Sequence, residues 1–195
     1  MQVIKSFGKE DLAKVYIADF GDGRIAEFVE SIQPPIPRQD KWVLIISTSF
    51  GCSVNCLMCD AGGMYKGMCT AQDMFEQIDH LIAQKYPDYS IPVKKFKVQF
   101  ARMGEPAFNK SVLEVLEHMC ERYNAPGLIP CISTIAPART GKFFDRLLEI
   151  RHTLYSGKDF QLQFSLHSTD DNARDRLMPV PKWKLEQIAA YGEKF

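Results

Sequence analysis

A chain of 195 residues is long enough to bury one sizeable core and short for two full domains. Lys and Arg number 24, as do Asp and Glu, so no net field draws the whole chain to nucleic acid or to an anionic membrane, although a local basic patch would be invisible in that total. No stretch approaches a membrane span and Met1 to Gly8 has no signal-peptide core, so the six cysteines read as metal ligands or reactive thiols of a cytoplasmic protein rather than as disulfides.

In chain order, residues 14–20 and 24–32 predict two strands around the turn Gly21-Asp22-Gly23. A loop rich in proline and charge (Pro34, Pro35, Pro37, Arg38, Asp40, Lys41) then marks a boundary, giving an N-terminal hairpin and linker over 1–40 and a main body over 41–195. Trp42 to Phe50 reads as a buried strand. Thr70 starts a helix as a capping-box variant with Asp73, and Met74, Ile78, Leu81 and Ile82 give it one apolar face. Phe96, Val98 and Phe100 alternate along a second main-body strand. Asn109 can cap a helix striped by Val112, Val115, Leu116, Met119 and Tyr123. Leu128 to Ala136 predicts a strand, Gly141 to about Arg151 a helix, Phe160 to His167 a strand, and a last helix begins near Pro181 or Trp183 with Leu185 and Ile188 on it.

Four βα units in a row predict an α/β fold with parallel strands covered by helices. A complete eight-fold barrel needs about 200–250 residues, so the expected object is a partial, open βα barrel with its C-terminal strands missing. Ligands of such sheets bind at the carboxyl ends of the strands. Those ends carry unusual segments: the loop Gly51-Cys52-Ser53-Val54-Asn55-Cys56-Leu57-Met58-Cys59, then Ala101 to Pro106, Ile132 to Pro137, and Gln163 to Ser168. The loop offers three thiolates with no obvious fourth. A structural zinc site wants four protein ligands, whereas a four-iron cluster on three thiolates keeps one iron open. Along the last strand Phe160, Leu162, Phe164 and Leu166 share one face, leaving Gln161, Gln163, Ser165 and His167 on a polar face that a bound ligand or solvent would satisfy.

Cys52, Cys56 and Cys59 in GCSVNCLMCDAGG, followed by MGEPAFN, CISTIAP and FSLHSTDDNARDRLMPV, resemble the radical S-adenosylmethionine (radical SAM) superfamily, and within it the RlmN/Cfr-type RNA methyltransferases that modify adenine. The likeness covers about residues 40–185. It implies that Cys52, Cys56 and Cys59 would hold a [4Fe-4S] cluster whose open iron chelates S-adenosylmethionine (SAM), and that reduction would give a 5′-deoxyadenosyl radical. It further implies that Gly104 and Glu105 would meet the amino end of SAM, that Ser133, Ser165 and His167 would line the rest, and that Leu166 would contribute backbone. RNA is then an implied partner, with a reductant such as flavodoxin or ferredoxin, and no membrane.

The chain departs from the family in three places. Met58 stands where the family has an aromatic residue. The methyl-carrying cysteine of the family's C-terminal region has no counterpart, so methyl transfer is not expected of this chain alone. The acidic residue near the hairpin aligns best with Gln33, or loosely with Glu30. Cys120 and Cys131 read as core residues, and Cys69 at the Thr70 cap reads as unremarkable or as a reactive thiol. His80, His118 and His152 read as surface residues. Arg174, Arg176, Lys182 and Lys184 form a basic cluster that would touch RNA phosphate or simply face solvent. Two alternatives stay open: radical SAM chemistry on a peptide or small molecule, and a non-enzymatic zinc module that adds Cys69 or Asp60 to the three thiolates.

Overall fold

The turn at Gly21-Asp22-Gly23 forms because three successive residues adopt left-handed backbone (φ +89°, +56° and +69°), a run that two glycines and an aspartate accept at little cost. Asp19 caps it by accepting the Gly21 N–H at 2.7 Å. In the computed structural model, which describes residues 1–195, this turn joins β2 (Ala13–Asp19) to β3 (Ile25–Ser31). An earlier strand, β1 (Gln2–Lys9), pairs antiparallel with β2 and turns the expected hairpin into a three-stranded meander. Its residues are almost all exposed, so no burial period marks it in the sequence.

The meander continues into the main body without a break in the sheet. Val29 to Ser31 of β3 pair antiparallel with Val43 to Ile45 of β4 (Trp42–Ile46). From there the pairing is parallel, through β5 (Phe96–Phe100), β6 (Leu128–Thr134) and β7 (Gln161–Phe164). The result is one seven-stranded mixed sheet in sequential order with five helices, an α/β protein.

The helices are α1 (Ala71–Ala83), α2 (Ser111–Arg122), α3 (Gly141–Thr153), α4 (Asp171–Leu177) and α5 (Leu185–Gly192). Thr70 and Asp73 make the predicted capping box on α1, the Asp73 N–H donating to Thr70 Oγ1 at 3.1 Å. Asn109 accepts the Ser111 N–H at 3.0 Å, and Lys110 already has helical dihedrals, so Asn109 caps α2 as expected. The short α4, capped by Asp170, was not foreseen; its seven residues carry too few apolar positions to show a helical period. The last predicted strand is also shorter than Phe160 to His167, because His167 (φ +60°) and the residues before it leave the ladder as a loop.

Strand alternation sets the core. Trp42, Leu44, Ile46, Phe96, Val98, Phe100 and Ile132 are fully buried on the helix side of the sheet. Each such large apolar side chain is worth about 1.5–3 kcal/mol. Met74, Ile78, Leu81, Val112, Val115, Leu116, Phe144 and Leu147 meet them from α1, α2 and α3. On the opposite face the last strands are polar, as read from the sequence, but that face is not sealed: Gln161 and Gln163 are exposed. There Gln99 Nε2 donates to Ser133 Oγ and to Gln163 Oε1, both at 3.2 Å, so these amides satisfy one another. No helix is long and apolar enough to cross a membrane.

Candidate cofactor-binding site

The parallel strands all release their chains at one edge, and the loops there fold into each other through buried hydrogen bonds. Met103 O accepts from the Thr48 and Ser49 N–H groups at 2.7 and 3.2 Å, tying the exit of β5 to the exit of β4. Asn109 Nδ2 donates to Thr48 O and Cys69 O at 2.8 and 2.7 Å, pinning both ends of the cysteine loop. Inside that loop the Cys52 N–H bonds Ala61 O at 2.7 Å, and Asn55, itself left-handed (φ +54°), accepts the Gly63 N–H at 2.6 Å.

These loops enclose a cavity of about 210 Å³ lined by Cys52, Cys56 and Cys59 together with Gly104, Glu105, Ser133, Ser165 and His167. All three thiols and five of the six other residues singled out in the sequence therefore share one space. Leu166 is the exception; it packs on the main core. Burial, with the neighbouring thiols adding to it, pushes Cys52 and Cys56 above the ordinary thiol range. Met58 also lines the cavity, keeping an apolar group at its position.

Glu105 is the main electrostatic feature. It is 7 % exposed, and burial raises its pKa although it accepts three hydrogen bonds. Those come from Ala107 N at 3.0 Å, Ile135 N at 3.0 Å and the Thr134 hydroxyl. A carboxylate has about four acceptor positions, so one remains for a donor in the cavity. A cation there would also offset the cost of burying the charge. Gly104 is required by its own chain: its φ is +98°, and a Cβ would lie 2.2 Å from Ser49 Oγ and 2.6 Å from Thr48 Oγ1.

Several sequence readings are corrected here. Cys69 is fully buried in the main core, where burial drives its thiol strongly upward, so of its two readings the unremarkable one holds, and it does not line the cavity. His80 is no surface residue: it packs edge-on against Tyr16 and Phe28, with centroids 5.4 and 5.7 Å away. In the basic cluster, Arg174 is buried and donates to Trp183 O, Lys182 pairs with Asp175, and Lys184 pairs with Asp171, leaving only Arg176 free. Two carboxylates, Asp171 and Asp175, thus hold three of its four charges. Glu30 is buried against the Tyr16 hydroxyl and Arg38, and Gln33 is exposed and bonded by Lys41, so neither lines the cavity.

Comparison with known proteins identifies relatives of the chain. A probable RNA methyltransferase of Ectopseudomonas mendocina is 32% identical over 173 residues, matching 87% of this chain and 43% of its own length. The dual-specificity RNA methyltransferase RlmN of Buchnera aphidicola is 27% identical over 190 residues, matching 86% of this chain and 47% of its own length. The chain is a distant relative of the RlmN methyltransferases. It spans about half the length of the curated relatives it matches. No family model matches it. The fold of this RlmN relative is also that of a crystallised radical SAM methyltransferase from Sphaerobacter thermophilus, with a TM-score of 0.69 at 20% identity over 91% of this chain and 49% of the other.

The carboxylate of this RlmN relative's meander that does reach the site is Glu27, missed in the sequence. It pairs with Arg102, which lines the cavity, and it shares an adjoining pocket with Met58, Cys59 and Asp60. Strand register was the available signal, since Glu27 lies two residues nearer the turn than Val29, which is opposite Ile45. Thr134 and Ile135, within the CISTIAP segment, also line the cavity.

Proposed function

We propose that this chain is a radical SAM enzyme core in which Cys52, Cys56 and Cys59 hold a [4Fe-4S] cluster and Gly104, Glu105, Ser133, Ser165 and His167 hold SAM. The observation that carries this reading is the convergence of three thiols and the Glu105 carboxylate on one cavity. The donor set fits the cluster better than zinc. A structural zinc site wants four protein ligands, whereas a four-iron cluster on three thiolates keeps one iron open for SAM. Of the two further ligands a zinc module could add, Cys69 is sealed in the core, which leaves only the exposed Asp60.

When bound, the cluster supplies one electron and an open coordination position. The protein's part is positional. Glu105, buried and with an acceptor position to spare, orients an ammonium. Ser133, Ser165 and His167 offer polar contacts along the cavity, while Val54 and Ile135 keep water from part of its wall. Glu27, paired with Arg102 at the cavity edge, is a carboxylate placed to take a proton, whereas Glu30 lines neither pocket and Gln33 is an amide. Cys59 and the neighbouring Leu57 (74 % exposed) leave the loop open to a reductant. Within this reading β4 to β7 are the strands of an open βα barrel, and RNA adenine is the substrate class indicated by the relatives' names. Cys69, Cys120 and Cys131 do not line the cavity, so no thiol of this chain is placed to carry a methyl group.

The test is anaerobic reconstitution with iron and sulfide. A brown protein with about four irons per chain, forming 5′-deoxyadenosine from SAM on reduction, is the expected result. One colourless equivalent of zinc without SAM binding overturns the proposal.

A further inference from the structure

A second, larger space adjoins the site on the other side of the Pro106–Phe108 turn. It is a groove of about 1060 Å³ between the first turns of α2 and α3, walled by Phe108, Leu113 and Phe143. Lys110, Arg139 and Lys142 line it and are all exposed. None of the three lies within ion-pair distance of a carboxylate. Asp145 is the single acidic residue in the lining. This contrasts with Arg146 one residue later, which is held by Glu117 and Glu149. The groove also has amide donors to offer. The Thr140 hydroxyl turns back to Pro137 O at 2.6 Å, so α3 has no side-chain cap, and the Gly141 and Lys142 N–H groups have no acceptor.

We propose that this groove holds the phosphate backbone of a single-stranded nucleic acid. Three unpaired cations against one carboxylate, with free amide groups between them, attract a chain of anions. The half-buried Phe108 adds an aromatic ring to the groove wall, and cations beside an aromatic ring are the combination that single-strand binding surfaces use. A lipid surface fits poorly, because Leu113 and Phe143 are buried and leave nothing to insert. Phe108 also packs on the Val54–Ile135–Met178 cluster that touches Cys52 and Cys56. A strand lying in the groove is therefore one side chain away from the cavity. The inference rests on the reading of that cavity as the reaction site.

The experiment uses the reconstituted chain and a short fluorescein-labelled single-stranded RNA, followed by fluorescence anisotropy at several salt concentrations. Three phosphate contacts to a single strand give a log–log salt slope of about −2, or about 20-fold weaker binding between 50 and 200 mM salt. Replacing Lys110, Arg139 and Lys142 together by Gln is expected to weaken binding at least about tenfold and to remove most of that slope. Replacing the exposed Lys5, Lys9 and Lys95 by Gln, all outside the groove, is expected to change neither. Equal losses in the two triple variants, or none in the first, overturn the proposal. So does a glutamate-rich peptide that binds in the groove as tightly as the RNA. Iron content and SAM cleavage measured on the same samples separate the two readings. Loss of those with groove-dependent RNA binding intact rejects the cavity assignment alone, and the reverse rejects the groove alone.

Discussion

Arg102 places two N–H groups on one oxygen of Glu27, with the Nε donor at 3.0 Å, and so couples the middle of β3 to the exit of β5 at the edge of the cavity. Both side chains are partly exposed, at 41 % and 33 %, so the pair adds little to stability, less than about 1 kcal/mol. Its effect is to hold a guanidinium beside the cavity that contains Glu105. Glu27→Gln is expected to shift urea unfolding by less than about 0.5 kcal/mol while weakening SAM affinity about tenfold, measured by calorimetry. Arg102→Lys keeps the charge but loses the two-pronged contact and should behave like Glu27→Gln. Wild-type SAM affinity in both variants would deny the pair any positioning role.

Gly104→Ala tests the packing of the strand exits. The new methyl would sit 2.2 Å from Ser49 Oγ and 2.9 Å from the Ser49 backbone nitrogen, in a left-handed conformation. Rotating the Ser49 hydroxyl away does not relieve the backbone contact. The expected cost is about 2–4 kcal/mol, which for a chain of this size lowers Tm by about 10 °C. A melting curve that overlays the wild type would show that the loops at Thr48 and Met103 yield more easily than their hydrogen bonds suggest.

The six cysteines should divide three and three. Ala at Cys52, Cys56 or Cys59 is expected to abolish iron binding after reconstitution, since each removes one of three thiols around the cavity. Ala at Cys69 or Cys131, both buried, should leave iron content unchanged and cost only about 1–2 kcal/mol of stability. Iron loss in Cys69→Ala with a normal fold would make Cys69 a fourth ligand and deny the three-thiolate site.

How far the sequence could be read follows from which interactions are local. The strands β4, β5 and β6 and helices α1 and α2 were legible because Trp42, Leu44 and Ile46, or Met74, Ile78 and Leu81, repeat at the period of one buried face. Cap chemistry is local too, so Thr70 and Asn109 were found. The residues that line the cavity were legible where short motifs carry them, as at Cys52, Cys56 and Cys59, at Gly104-Glu105, and at Ser165 and His167, whereas Leu166 of the same motif packs on the core. What escaped depends on partners distant in sequence. Glu27 matters through Arg102, 75 positions away, and His80 is half-buried by Tyr16 and Phe28 from the meander. Arg174 and Lys184 share Asp171, and Lys182 pairs with Asp175, contacts that only the folded loop and helix bring about. Strand β1 lacked a signal because it pairs through its backbone and buries almost nothing.

His80 makes the fold sensitive to acid. Burial against Tyr16 and Phe28 lowers its pKa below the ordinary 6.5, with Lys14 lowering it further and Glu30 acting in the opposite direction. Between the lowered folded value and 6.5 the unfolded chain binds the extra proton, so stability rises with pH across that window. The contribution is complete above pH 6.5 and is lost as pH falls through the folded pKa. Urea unfolding from pH 7.5 to 5 should therefore show a steeper decline in the wild type than in His80→Leu. Parallel curves would mean that His80 reaches solvent on protonation.

Glu105 has the opposite sign. Burial lifts its pKa above the ordinary 4.5 in spite of the donors from Thr134, Ile135 and Ala107. From 4.5 up to that raised value the folded chain holds the proton more tightly than the unfolded one, so stability falls as pH rises through the window. Glu105→Gln carries no titrating group, and its stability relative to wild type should improve over the same range. Above the window Gln still offers one acceptor to the Ala107 and Ile135 N–H groups, whereas Glu105→Ala strands both in a buried site and should cost about 2–4 kcal/mol. A cationic ligand changes the balance, because an ammonium in the cavity favours the charged carboxylate. Saturating SAM should therefore flatten the wild-type pH dependence and leave that of Glu105→Gln unchanged. If SAM shifts both variants equally, the ammonium is held by some other group.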